Sequence, residues 1–283
     1  FDEMRRKIIA KMDSSWHMAN LIDGAVADYL QVFIPVSSIK EWAKRLGGKA
    51  VLGGSIRISK AGKISELDGY NDGVWWVQDV AARIPSTLLG ASGGSDVLDL
   101  CAAPGGKAAQ SAAAGNKVTS VDFSERRLSR LKENMARLDL SVDVVMSDVL
   151  LYKPKKRYDF ILLDAPCSST GTIRRHPEIL HTRTKRDVDD LVVLQAKMLN
   201  HAASLLNKGG VLVYSVCSMQ QEEGPDQIKA LLERHRSLKR KEIRAKELEG
   251  LEQAILDSGD VQTLGHHMSE GIDSFFISRL VKS

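Results

Sequence analysis

Between residues 96 and 215 short apolar runs alternate with segments whose apolar residues recur every three or four positions. That alternation restricts the fold more than any other feature of the chain. "DVLDL" is a buried-strand pattern ending at Leu100, and a Gly/Ala-rich stretch then opens a helix near Gly105. "KVTSV" forms the next strand, ending just before Asp122. Leu128, Leu131, Met135 and Leu138 follow at helical spacing and mark one face. "VDVVM" and "YDFILL" read as a third and a fourth strand. Leu191, Leu194, Met198, Ala202 and Leu205 mark another amphipathic helix, which Gly209-Gly210 is expected to close before the fifth strand, "VLVYSV". Strands separated by helices need crossover connections, so the expected class is α/β with a mostly parallel sheet covered on both faces. "DSFFISRLV" near the end alternates without a crossover helix before it, so we expect an antiparallel strand at or near the sheet edge.

The first part of the chain follows a different pattern. Residues 4 to 30 look helical, with Ile8, Ile9 and Met12 on one side, and residues 31 to 66 suggest a small α+β piece. We expect a division into 1–72, a small N-terminal region, and 73–283, the sheet domain. Trp75 and Trp76 can stack on bases or pack between the two parts; packing is the preferred reading. Arg234, Arg236, Lys239, Arg240, Lys241, Arg244 and Lys246 form a basic stretch, read as a solvated face ahead of a nucleic-acid patch.

Composition narrows the class. A chain of 283 residues with 43% hydrophobic content can bury a sizeable core. A net charge of +4 permits an anionic partner without demanding one. No apolar stretch approaches the roughly 20 residues needed to span a bilayer, and no charged-then-apolar leader opens the chain. The three cysteines form no CxxC pair, which fits neither a disulfide framework nor a zinc site. A reducing compartment follows, with a cytoplasmic location, no membrane, no metal and a monomeric state as expectations.

Ligands of open parallel sheets sit beyond the carboxyl ends of the strands. "LDLCAAPGGK" supplies such a place. Ala102 and Ala103 are small, Gly105 and Gly106 let a ligand approach the backbone, and the following helix offers free N–H groups. Asp122, at the end of the second strand, can accept both hydroxyls of a ribose. Asp148, after the third strand, can accept from an adenine amine or cap a helix. The turn lacks the first glycine of GxGxxG and carries Pro104, which disfavours a dinucleotide. A tight turn with no ligand is the structural alternative.

Two further stretches, "LLDAPCSSTGTIRRHPEI" and "VYSVCSM", each put a cysteine just past an apolar run. With "LDLCAAPGGK" they resemble, in order, the motifs of the Sun/Nop/Fmu family of RNA cytosine-C5 methyltransferases, within it the bacterial rRNA methyltransferases of RsmB type. The likeness runs from about Trp75 to the C-terminus. It implies a class I, Rossmann-like methyltransferase fold and S-adenosylmethionine as cofactor. The loop Cys101, Ala102, Ala103, Pro104, Gly105, Gly106 and Lys107, with Asp122, Asp148 and Asp164, would hold that cofactor. It makes Cys217 the nucleophile, Cys167 the residue that assists product release, and RNA the partner, rRNA ahead of tRNA.

The chemistry accounts for the residue types. C5 of cytosine is a poor nucleophile, and a thiolate adding to C6 makes C5 enamine-like. Asp164 can hydrogen-bond the base at N3 and its exocyclic amine. Arg174 and Arg175 would shape the site or meet RNA phosphate, and His176 is read as structural. For Cys101, between Leu100 and Ala102, a small buried hydrophobe is the other reading. The chain departs from the family at Ser169, commonly Gly, and at Val216, commonly Thr. Three rivals are an RNA-binding protein without turnover, an NAD-dependent oxidoreductase, and an amino-methylating enzyme. The intact Cys167, Cys217 and Asp164, the absent GxGxxG, and "DAPC" in place of Asn/Asp-Pro-Pro-aromatic oppose them in turn.

Overall fold

The computed structural model describes residues 29–283 except 36, 37, 60 and 270. The helix expected over 4–30 lies outside the described residues as far as 28, and Tyr29 and Leu30 belong to a strand. The small body comprises β1 (Tyr29–Phe33), α1 (Ile39–Arg45), β2 (Lys49–Val51), β3 (Ser55–Ser59) and β4 (Trp76–Val77). Its strands form an antiparallel sheet in the order β2-β3-β1-β4. Val32, Ile56 and Ile58 pack against Trp42 of α1 and against Trp75. Trp76 points the other way, into a cluster with Ala102, Ala103 and Leu131 of the large body. The tryptophan pair therefore packs between the two bodies, because consecutive strand residues face opposite sides. The expected division after residue 72 falls just ahead of β4, which pairs with β1 of the small sheet.

The large body continues with α2 (Val80–Leu89), β5 (Asp96–Leu100), α3 (Gly106–Ala113), β6 (Lys117–Asp122), α4 (Glu125–Arg137), β7 (Asp143–Met146) and β8 (Tyr158–Asp164). It ends with α5 (Ile179–Thr182), α6 (Lys185–Leu205), β9 (Leu206–Val216), α7 (Pro225–Arg234), β10 (Leu238–Arg240), β11 (Val261–Gln262) and β12 (Phe276–Lys282). The strand order is β7-β6-β5-β8-β9-β12-β10, with β11 also on β12. The five strands from β7 to β9 run parallel and β12 is antiparallel to β9, one place in from the edge, as the alternation predicts. Leu98, Ile161, Leu163, Leu212 and Tyr214 face one core, while Leu162, Val211, Val213 and Ile277 face the other. Each such aliphatic side chain contributes about 1.5–3 kcal/mol by leaving water.

One local expectation is corrected. Gly209-Gly210 does not end the helix: α6 stops at Leu205 and the glycines lie inside β9. Tyr158 pairs with Leu206 but Phe160 pairs with Val211, so β9 carries extra residues at that point. Gly209, at φ +79°, takes up the excess in a conformation that other residues rarely adopt. The basic stretch lies around β10 at the far edge, where Arg234, Arg236, Lys239 and Lys241 are exposed. Among the described residues no helix is long and apolar enough to cross a membrane.

Candidate active site

Parallel register brings the carboxyl ends of β5, β6, β8 and β9 to one rim, so Cys101, Asp122, Asp164 and Cys217 gather there from distant parts of the chain. A cavity of about 370 Å³ opens at that rim, within the size range of small-molecule sites. Cys101, Ala102, Ala103, Pro104, Gly106 and Lys107 line one side, with Asp164 and Cys217 beside them. Leu30, Gln31, Val77 and Gln78 line another, so the small sheet forms part of the wall.

The two motif cysteines meet. Cys167 Sγ and Cys217 Sγ lie 3.4 Å apart, with Cys217 on the cavity wall and Cys167 buried behind it. The hydrogen bond from Cys167 holds the Cys217 thiol below its ordinary value against the cost of burial, and Ser169 and Lys107 add to the lowering. The same contact, followed by burial, pushes Cys167 well above its ordinary value. The pair is thus polarised, with the thiol on the cavity side the easier of the two to ionise. Ser169 Oγ is 3.6 Å from Cys217 Sγ. Its backbone is left-handed, at φ +61°, which explains why glycine suits this place; the serine adds a hydroxyl beside the sulfur.

Asp164 sits at the end of β8. Its carboxylate accepts from Lys107 Nζ at 2.7 Å and from Ser215 Oγ at 2.7 Å. A carboxylate has roughly four acceptor positions, so lone pairs remain for a ligand. Lys107 Nζ also lies 5.1 Å from the centre of the Phe275 ring. Cys101 has left-handed backbone at φ +63°. Burial, then Asp122, Asp164 and Asp99, push its thiol far up.

Asp122 is buried at the end of β6 and lies outside the lining of this cavity. It accepts from Ala103 N at 3.2 Å and Ser124 N at 3.0 Å, and pairs with Arg127 at 3.2 Å. It thereby ties the 101–107 loop to β6, and Gly105 lies within that loop with its backbone at φ +104°. Asp148 is exposed and caps a short turn by accepting from Leu150 N at 2.8 Å. Phe123, between Asp122 and the α4 cap, is 71% exposed.

Arg174 is buried, 3.3 Å from Asp273, and Arg175 binds the same carboxylate. Of the two readings for this pair, shaping the site fits Arg174. His176 is exposed, 3.1 Å from Glu178. Among the described residues no group of three or more His, Cys, Asp or Glu is placed to hold a metal ion.

Sequence reasoning missed Asp99. It is 1% exposed, it lines the cavity, and neither carboxylate oxygen has a hydrogen-bond partner. Burial and the nearby Asp164 push its carboxyl up to about 8. An acid between the leucines of "VLDL" was the available signal. Gln31, whose Nε2 is buried without a partner, also lines the cavity, and nothing local marked it.

Residues 86–281 match the family model described as 16S rRNA methyltransferase RsmB/F. A ribosomal RNA small subunit methyltransferase B of Yersinia enterocolitica is 38% identical over 237 residues, 81% of this chain and 52% of that protein. Its counterpart in Serratia proteamaculans is 35% identical over 276 residues, 94% of this chain and 59% of that protein. The chain therefore spans a little over half the length of these relatives. Among solved structures, PH0851 superposes with a TM-score of 0.82 at 26% identity, covering 90% of this chain and 60% of that one. NSun6 from Pyrococcus horikoshii, solved with SFG, superposes with a TM-score of 0.78 over 99% of this chain and 97% of its own; at 18% identity it speaks for the fold alone. With the family model covering the sheet domain from α2 to β12, the chain belongs to the RsmB/F family of 16S rRNA methyltransferases.

Proposed function

We propose that the protein transfers a methyl group from S-adenosylmethionine to C5 of a cytosine in RNA, rRNA ahead of tRNA, through a covalent adduct between Cys217 and C6. The observation that carries this reading is the thiol pair: two cysteines 50 residues apart in sequence, 3.4 Å apart in space, one facing the cavity. The residues present fit the cofactor. Asp99, buried without a hydrogen-bond partner, suits the ammonium of the methionine moiety. The 101–107 loop leads into the N-terminus of α3, where the carboxylate meets free N–H groups. Asp122 and Asp148 would meet the ribose and the adenine, with the exposed Phe123 beside them. When bound, S-adenosylmethionine supplies an electrophilic methyl group.

The chain's own groups do the rest. Cys217 adds as thiolate to C6, and its electron pair makes C5 nucleophilic. Asp164 receives N3 and the exocyclic amine, with Lys107 and Ser215 holding its carboxylate in place. After methylation the C5 proton must leave to a base and the C6–S bond must break, returning the electron pair to Cys217. Cys167, adjacent to that sulfur, assists this release. Base access demands an unpaired or extruded nucleotide. The region 1–72 is proposed to contact RNA.

The test uses a loop-containing 16S rRNA fragment and S-adenosylmethionine with a labelled methyl group. Cys217→Ala should form no adduct and transfer no methyl. Cys167→Ala should methylate and then stall, accumulating a labelled protein–RNA species on denaturing gels. The opposite pattern would exchange the two roles, and adducts with neither variant would defeat the covalent mechanism.

A further inference from the structure

We infer that Glu223 is a positioning residue for the cysteine pair: its buried carboxylate joins the residue after Cys167 to the residue after Cys217 and so sets the distance between the two sulfurs. The inference rests on the covalent reading of that pair. Glu223 lies on the short turn that follows the Cys217 loop and is fully buried. Its Oε1 accepts from Ser168 N at 2.8 Å, and its Oε2 from Ser168 Oγ and Ser218 Oγ, each at 2.5 Å. Ser168 directly follows Cys167 and Ser218 directly follows Cys217, so one side chain grips both loops.

The grip extends to the other side of Cys167. Gln195 of α6 donates from Nε2 to Glu223 Oε1 at 3.0 Å and to the carbonyl of Pro166 at 2.9 Å. Cys167 is thus held before and behind. Tyr214 of β9 donates to the Glu223 carbonyl at 2.7 Å, anchoring the turn to the strand that delivers Cys217. Gly171 N, which donates to the Cys217 carbonyl at 3.0 Å, completes the seam.

A carboxylate is the right group here. The site presents four donors, three of them on the serines, and a carboxylate only accepts. An amide in its place would turn N–H groups toward at least one donor. All four donors are neutral, and Glu223 adds to the influences that push the Cys167 thiol up, after the Cys217 contact and burial. At Cys217 the hydrogen bond from Cys167 favours the thiolate against burial and the nearby Asp164. Glu223 therefore sets the separation of the sulfurs and adds to what opposes a charge on Cys167.

The experiment is alkylation of the full chain with limiting iodoacetamide at neutral pH, the modified cysteine being identified by peptide mass, alongside thermal melting. The unmodified chain should react chiefly at Cys217. In Glu223→Gln the share taken by Cys167 should rise about tenfold, the consequence of roughly one pKa unit. Should that variant fail to fold, Ser218→Ala, which removes a single donor, should shift the partition the same way by a smaller factor. A folded Glu223→Gln with the original partition would overturn the inference, as would Ser218→Ala with lowered melting and no shift. Alkylation needs neither RNA nor S-adenosylmethionine, so the partition is read even on a chain that transfers no methyl group.

Discussion

Cys101 and Cys217 each follow the last residue of a parallel strand, on the same rim and around the same cavity. Position treats them alike and surroundings separate them. Cys101 is half-buried beside Asp99, Asp122 and Asp164, all of which oppose a second negative charge. Cys217 faces burial and Asp164 as well, but it meets a thiol first and then a hydroxyl and, at longer range, an ammonium, all of which favour one. The carboxyl end of a parallel sheet offers access to a ligand. Whether a thiol there can act as a nucleophile is decided by the donors that other segments bring.

Removing the ammonium tests that contrast most severely. Lys107→Met should slow Cys217 alkylation at neutral pH by about tenfold. Methyl transfer should fall further, on the order of a hundredfold, because Lys107 also holds Asp164. Single-turnover kinetics and alkylation rates measure the two effects, and an unchanged alkylation rate would mean that neighbours do not set the difference.

Asp99 probes the acidic side of the comparison. Its carboxyl titrates near 8 in the folded chain against an ordinary value of 3.8, so the folded state favours the protonated form. The resulting stability is complete below about pH 4, is lost progressively as pH rises to about 8, and changes no further above that. Asp99→Asn should remove this slope and melt higher at pH 8, by about 2–5 kcal/mol. Calorimetric affinity for S-adenosylmethionine should fall about tenfold in the same variant. A melting curve with the same pH dependence as the parent would show that Asp99 is not the strained acid of the site.

Ser169 sharpens the other side. Ser169→Gly relieves a left-handed backbone and should stabilise the fold by about 1 kcal/mol. It also withdraws the hydroxyl from Cys217, so alkylation at neutral pH should slow by roughly twofold to fivefold. A faster reaction in that variant would assign the hydroxyl a purely structural part. The smallest effect belongs to Cys101→Ala: melting should change by about 1 kcal/mol or less, with the alkylation stoichiometry of the chain unaltered.

Much of the architecture was legible. Leu128, Leu131, Met135 and Leu138 declared the buried face of α4, and each is buried. The five short apolar runs declared the parallel strands, and the small residues of 101–106 declared a loop that lines a cavity. Gly209-Gly210 misled because a glycine pair after a helix pattern also suits a bulge at the start of a strand. Arg174 carries no mark in the sequence of the buried Asp273 that holds it, 99 residues further on.

Local order determined what the sequence could state alone. A period of two or of 3.6 residues records which face of an element is buried, and a strand followed by small residues and a helix records where a ligand can approach. Distances between elements are different, because they depend on strand order and register. The 3.4 Å between Cys167 and Cys217 exists because β8 and β9 are parallel neighbours aligned Asp164 to Ser215. A register change of one residue would turn the side chains of β9 to the other face of the sheet and misplace the loop that carries Cys217. The isolation of Asp99, the grip of Glu223 and the wall supplied by Gln31 have the same origin: each is a contact between segments far apart in the chain, and no local pattern encodes it.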